Sequence, residues 1–172
     1  IQQGVMIYRE PQYNYVKIPQ FPKINLLGYF QSAKYFHHRR QDVLNFCWRY
    51  YRDNFTRLQP FIYKSPKTTI AVHVRRTDYI KLQHAHVLQP MSYYHQAFAK
   101  LKSLGIHGTF VIFSDDISWC KRQPEFQMDN VVFREPNNQL SDEDNDITDL
   151  YSMAECNHHI IANSSFSWWG AY

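Results

Sequence analysis

Short, β-branched and almost continuously apolar runs recur along this chain, separated by segments whose apolar positions fall at helical spacing. Thr69-Ile70-Ala71-Val72-His73-Val74-Arg75, Thr109-Phe110-Val111-Ile112-Phe113 and Asn130-Val131-Val132-Phe133 carry the pattern of strands covered on both faces. His159-Ile160-Ile161-Ala162 is a fourth such run. Between them, Pro90 and Ser92 open a helix whose Tyr94, Phe98, Leu101 and Leu104 share a face, with Gly105 where a cap would stand. A short helix is predicted from Ile117, and another is marked by Ile147, Leu150, Tyr151 and Ala154. Upstream, Phe36, Val43, Cys47, Tyr50 and Leu58 predict one long amphipathic helix from Ser32 to about Gln59. Pro11, Pro19 and Pro22 reduce residues 1 to 25 to extended pieces with turns. The alternation β-α-β-α-β-α-β-α predicts an α/β fold with a doubly wound, Rossmann-like parallel sheet. Ligands of such sheets bind beyond the carboxyl ends of the strands. Three polar clusters fall there: His73 to Asp78, Ser114 to Asp116, and Asn163 to Ser165.

Composition narrows the function classes. An apolar share of 44% with 17% aromatic residues excludes a disordered tail. Lys and Arg number 19 against 15 Asp and Glu, and the resulting +4 is scattered along the chain, with His37-His38-Arg39-Arg40 the nearest approach to a basic run. That balance fits capture of one small phosphorylated ligand and argues against a nucleic-acid partner. Cys47, Cys120 and Cys156 are too few and too widely spaced for a disulfide scaffold, which points to a reducing compartment. No apolar window is long enough to cross a bilayer, so no transmembrane segment is expected in the chain. The five glycines form neither a G-x-G-x-x-G nor a P-loop. Asp142-Glu143-Asp144, set among Asn137, Asn138, Ser141 and Asn145, is expected to be an exposed acidic loop. The histidines of Cys156-Asn157-His158-His159 lack zinc spacing and are expected at a strand edge.

The three clusters have a shared chemistry. Strand alternation puts His73 and Arg75 on one side and lets Arg76 leave from the following turn, so that two guanidinium forks and an imidazole converge on one anion. The competing reading is a surface Arg-Arg-Asp ion-pair group. Ser164 and Ser165, with the amides around them, stand between a buried strand and a helix start, where a phosphate would meet the positive helix end; a plain N-cap is the alternative. Ser114-Asp115-Asp116 would accept bonds from a sugar hydroxyl or a base, or cap the next helix.

Taken together, Leu27-Gly28-Tyr29-Phe30-Gln31-Ser32, His73-Val74-Arg75-Arg76-Thr77-Asp78-Tyr79, Phe113-Ser114-Asp115-Asp116 with Trp119, and Ile160-Ile161-Ala162-Asn163-Ser164-Ser165-Phe166-Ser167-Trp168-Trp169-Gly170-Ala171 resemble glycosyltransferase family 11, the α-1,2-fucosyltransferases. The His-x-Arg-Arg element is shared with α-1,6- and protein O-fucosyltransferases, and the Asn-Ser-Ser-Phe-Ser-Trp-Trp-Gly-Ala run favours family 11. Thr77 stands where many members carry Gly. The resemblance implies the donor-binding half of a GT-B-type two-lobed enzyme, GDP-fucose as donor, a terminal galactoside as acceptor, inversion at the anomeric carbon, and neither metal nor other cofactor. It also implies that the chain is a piece of a longer protein, with residues 1–66 as a helical linker towards an amino-terminal lobe and 67–172 as the nucleotide-sugar-binding domain. Arg76, helped by Arg75, would pair with the pyrophosphate. Asn163, Ser164, Ser165 and Phe166 would bind the donor from the other side, His73 would sit near ribose or phosphate, and Ser114 or Asp115 near the guanosine. Asp78 would deprotonate the acceptor hydroxyl or orient the arginines. Bacterial and viral relatives of this kind are cytoplasmic or peripheral to the membrane, and animal ones are Golgi type II proteins. A fucosyltransferase of another linkage and a non-catalytic GDP-sugar or glycan-binding module are the alternative functions.

Overall fold

The computed structural model describes residues 4–55, 58, 68–84 and 86–172. The chain divides into two compact units, residues 1–56 and 57–172.

In the first unit, β1 (Met6–Arg9) and β2 (Ile24–Leu27) pair in parallel with Met6 opposite Ile24. The backbone then turns where the Glu10 carboxylate accepts the amides of Tyr29 at 2.7 Å and Phe30 at 3.0 Å. The long helix predicted from Ser32 is shorter. Two 3-10 turns, Ala33–Tyr35 and His37–Arg39, precede α1 (Arg40–Asn54), and Gln59 lies outside the described residues. Local aromatic packing accounts for the difference. Tyr35 lies against Tyr15 and Phe30 with ring centroids 4.9 and 5.3 Å apart, and the chain breaks from helical geometry at Phe36 (φ −134°, ψ 4°).

The second unit holds the parallel sheet. Its strands are β3 (Thr69–Val74), β4 (Thr109–Ser114), β5 (Val131–Phe133) and β6 (His158–Ile160), ordered β5-β4-β3-β6 and all parallel. Numbered from the first strand of this sheet, that is the 3-2-1-4 order of a Rossmann-like fold, with its topological switch between β3 and β6. The predicted strands match to within one or two residues. β6 ends at Ile160, and it is a sheet edge, as expected for its histidines.

Two cores form because β3 and β4 alternate their side chains across the sheet. Ile70, Val72, Val74, Phe110 and Ile112 pack with Tyr94 and Phe98 of α3 (Met91–Ser103), and with Ile117 and Cys120 of α4 (Ile117–Cys120). On the opposite face Ala71, Val111 and Phe113 pack against Met153 of α5 (Asp142–Ala154) and Phe166 of α6 (Ser165–Ala171). Helices on both faces make the sheet doubly wound. Gly108 is required at the entrance to β4, because a Cβ there would stand 2.1 Å from the Thr68 carbonyl oxygen.

Two further helical features depart from the sequence pattern. A one-turn helix, Thr77–Lys81, follows β3 where only a turn was expected. Asp142-Glu143-Asp144 is not an exposed loop but the first turn of α5, with the Ser141 hydroxyl accepting the Asp144 amide at 3.1 Å. Three acidic residues there complement the positive helix end, and Asp144 is buried. The loop between β5 and α5 is fixed by side chains: Asn145 accepts the Asn137 amide at 2.8 Å and donates to the Asn137 and Ser141 carbonyls. Arg134, at the end of β5, pairs with Asp149 of α5 at 2.9 Å and donates to Asn145. Burial pushes the Asp149 carboxyl up to about 7, an effect that Arg134 opposes only in part.

Gly108→Ala is expected to lower stability by about 1–3 kcal/mol, because the backbone around Thr68 has to move; the urea midpoint measures it. The raised carboxyl of Asp149 sets a pH dependence. Its contribution to stability is fully present below its ordinary value of 3.8 and is lost as the pH rises through about 7. The stability of the wild type relative to Asp149→Asn should therefore decline across that window, and a difference that stays flat with pH would contradict the assignment.

Candidate active site

The site is built by strand register. Val74 pairs with Ser114, so β3 and β4 end level, and the backbone of each opens into a polar turn on the same edge of the sheet. Asp115, just past β4, accepts the amides of Arg76 at 2.9 Å and Thr77 at 3.0 Å, together with the Thr77 hydroxyl. One carboxylate from β4 thus caps the helix α2 (Thr77–Lys81) that follows β3. The same carboxylate stands 3.4 Å from the Arg75 guanidinium.

With α2 fixed, its first turn presents Asp78 to Arg75 at i, i+3 spacing. Arg75 donates through Nε to Asp78 Oδ1 at 2.9 Å and through Nη2 to Oδ2 at 3.0 Å, a two-bond fork. This bond raises the guanidinium further above its ordinary value and holds the Asp78 carboxyl below its own. The pair is partly open to solvent, with 33% of the Arg75 side chain and 45% of the Asp78 side chain exposed. Arg76 turns the other way. Its guanidinium lies 3.6 Å above the centre of the Trp119 ring and 3.4 Å from Asp116. Asp116 itself accepts the Trp119 amide at 3.0 Å as the N-cap of α4, and Ser114 Oγ accepts the Asp116 amide at 3.0 Å.

The turn after β6 is tied to this cluster from below. Tyr93 of α3 donates to the Ile161 carbonyl at 2.7 Å, Tyr79 of α2 donates to the Asn163 carbonyl at 2.9 Å, and the Asn163 amide group donates to the Val87 carbonyl. Ser164 is the N-cap of α6 but its hydroxyl makes no capping bond, and Ser165, the first residue of the helix, is exposed. Phe166 closes the gap to β3, its ring centroid 5.7 Å from that of His73.

His73 is 3% exposed, with a buried Nδ1 that has no hydrogen-bond partner, and burial followed by the nearby Arg75 charge lowers it to about 4. The imidazole is therefore neutral, and the cations of the cluster are the two guanidiniums. Arg75, Arg76, Asp78, Ser114 and Asp115 form one bonded cluster with Asp116; His73 stands within electrostatic reach of Arg75 and Asp115, and Asn163 is tied to α2 through Tyr79. Ser164 and Ser165 lie beside the switch point without a bond to either arginine.

Four further residues support the cluster: Asp116, Trp119 and Thr77 stood in the sequence motifs without these partners, and Asp146 was missed. Asp116 and Trp119 hold Arg76, Thr77 binds Asp115, and Asp146 of α5 stands close enough to feel the charges of Arg75 and Asp115 while burial raises its carboxyl. Asp116 caps the next helix, one of the two roles that the sequence offered for Ser114-Asp115-Asp116.

Comparison with known proteins gives the same direction. The pattern that defines Glycosyl transferase family 11 matches residues 2–172. An Escherichia coli α-1,2-colitosyltransferase is 31% identical over 162 residues, 87% of this chain and 51% of the relative. The E. coli O-antigen biosynthesis glycosyltransferase WbnK is 29% identical over 163 residues, covering 86% of this chain and 49% of the relative. A galactoside 2-α-L-fucosyltransferase SEC1 from Bos taurus is 31% identical over 157 residues, 87% of this chain and 42% of the relative. The chain thus spans about half the length of the curated relatives it matches. With that match along nearly its whole length, the chain belongs to glycosyl transferase family 11.

Proposed function

We propose that this chain is the donor-binding half of a two-lobed, GT-B-type enzyme that transfers L-fucose from GDP-fucose to the 2-hydroxyl of a terminal galactoside, with inversion and without a metal. Residues 67–172 are the nucleotide-sugar-binding domain in this reading, and 1–66 lead towards a further lobe. One observation carries it: β3 and β6 are paired neighbours, so the strand that leads into Arg75 and Arg76 adjoins the strand that leads into α6, at the switch point of the sheet.

The difficulty in fucosyl transfer is the negative charge that grows on GDP as it departs. The bond from the anomeric carbon to the β-phosphate oxygen breaks and its electron pair leaves on GDP. The acceptor oxygen bonds the same carbon from the opposite face, and its proton passes to a base. In this reading Arg75 and Arg76 supply the counter-charge, and Ser164, Ser165, Asn163 and the amides leading to Phe166 meet the diphosphate from the α6 side. His73, neutral and buried, supports the donor edge through Phe166, and Ser114 and Asp115 line the guanosine side. Asp78 is the proposed proton acceptor.

Two of these relatives have names that give the α-1,2 linkage while the sugar differs between colitosyl and fucosyl, so the linkage has broader support than the sugar. No helix among the described residues is long and apolar enough to cross a membrane. Relatives come from bacteria and animals, and we place this protein in the cytoplasm or at a membrane surface if it is bacterial or viral, and in the Golgi if it is animal.

Incubating the full-length protein with GDP-fucose and lactose, followed by linkage analysis, should give fucose on the 2-hydroxyl of galactose. GDP binding without transfer would favour a silent binding module instead. Arg76→Ala should reduce kcat/KM by about 10²–10³-fold, the effect of losing one preorganised charge contact; unchanged turnover would remove Arg76 from the mechanism.

A further inference from the structure

The carboxylates around the two guanidiniums are held in different ways. Asp115 is held by two backbone amides and a hydroxyl, and the Arg75 guanidinium stands 3.4 Å from it as a longer additional contact. Asp116 is fixed by its cap of Trp119. Asp78 alone among them takes both oxygens' side-chain bonds from Arg75, and it is the most exposed of the three. The Arg75 fork is therefore turned towards solvent with a carboxylate across it, in the geometry that guanidinium adopts with phosphate. An exposed pair of this kind contributes little, so exchanging its anion is easy.

We infer that Asp78 is a placeholder anion: it occupies the Arg75 fork in the donor-free protein and is displaced when the diphosphate of a nucleotide sugar takes the fork. This rests on the donor reading above and adds to it an order of events. The carboxylate is tied up until the donor is bound, so a free base faces the acceptor only when there is something to transfer. The same exchange in reverse assists release of GDP, because Asp78 competes for Arg75 as the nucleotide leaves. Asp115 keeps α2 in place throughout, so only the side-chain pair changes partner.

The test is GDP binding by calorimetry with the full-length protein, wild type and Asp78→Asn, alongside Arg75→Ala. If Asp78 is a competitor, removing its charge tightens GDP binding by about two- to five-fold, the scale of an exposed ion pair, while Arg75→Ala weakens it. Asp78→Ser repeats the measurement with a side chain too short to hold the fork, and thermal melting confirms that each variant is folded. An unchanged GDP affinity, or one weakened alongside Arg75→Ala, would overturn the exchange and make Asp78 an orienting partner of Arg75. That outcome is distinct from failure of the donor reading, in which the wild type itself does not bind GDP and the exchange falls with it.

Discussion

The geometry of the site depends on one carboxylate. Asp115 leaves the end of β4 and grips two consecutive amides at the end of β3. It can do so only because β3 and β4 pair in a register that ends both strands at the same level. Those two amides are among the unsatisfied donors of the α2 amino terminus, so the grip both ends the strand and starts the helix. Everything chemical follows from that fixed corner. Arg75 points at Asp78 because α2 begins where it does, and Arg76 is directed to Trp119 and Asp116. A sheet with a one-residue slip would retain the same residues and lose the cluster.

The strands of the parallel sheet were legible because burial on both faces writes itself into sequence as unbroken apolar runs, and β3 and β4 match within a residue. Helices were legible where the core selects their apolar face, as with Tyr94, Phe98 and Leu101 of α3. They were not legible where a distant group decides. The helix α2 is capped from 38 residues away by Asp115, and no local pattern encodes that. The early start of α5 rests on the Ser141 cap and an acidic first turn, signals that were present but were outweighed by the polar surroundings. Site residues were legible by position, since strand ends gather polar side chains, but their partners were not. Arg75 and Arg76 were read as two forks on one anion or as an Arg-Arg-Asp ion-pair group, and the structure supplies the pairs, Arg75 with Asp78 and Arg76 with Asp116, the second of which the sequence did not specify.

That engagement changes how the charge of the site is understood. Two guanidiniums face Asp78, Asp115 and Asp116, with Asp146 within electrostatic reach, so the cluster is not a bare positive patch. The pairing keeps both forks extended and oriented instead of leaving them to sample solvent, which reduces the ordering that a ligand would impose. The neutral, buried His73 fits the same picture: its ring serves the packing between β3 and α6, where a charged imidazole would be costly.

The turn that connects β6 to α6 takes its shape from phenol hydroxyls. Tyr93 and Tyr79 bond the Ile161 and Asn163 carbonyls, which no neighbouring strand satisfies. Removing either hydroxyl would leave every side chain of the Asn-Ser-Ser-Phe run intact in sequence and yet let its peptide planes rotate. The identity of this segment is therefore not self-sufficient: a graft of those residues onto another scaffold would carry the letters without the struts, and the conformation would have to be rebuilt from whatever lies beneath.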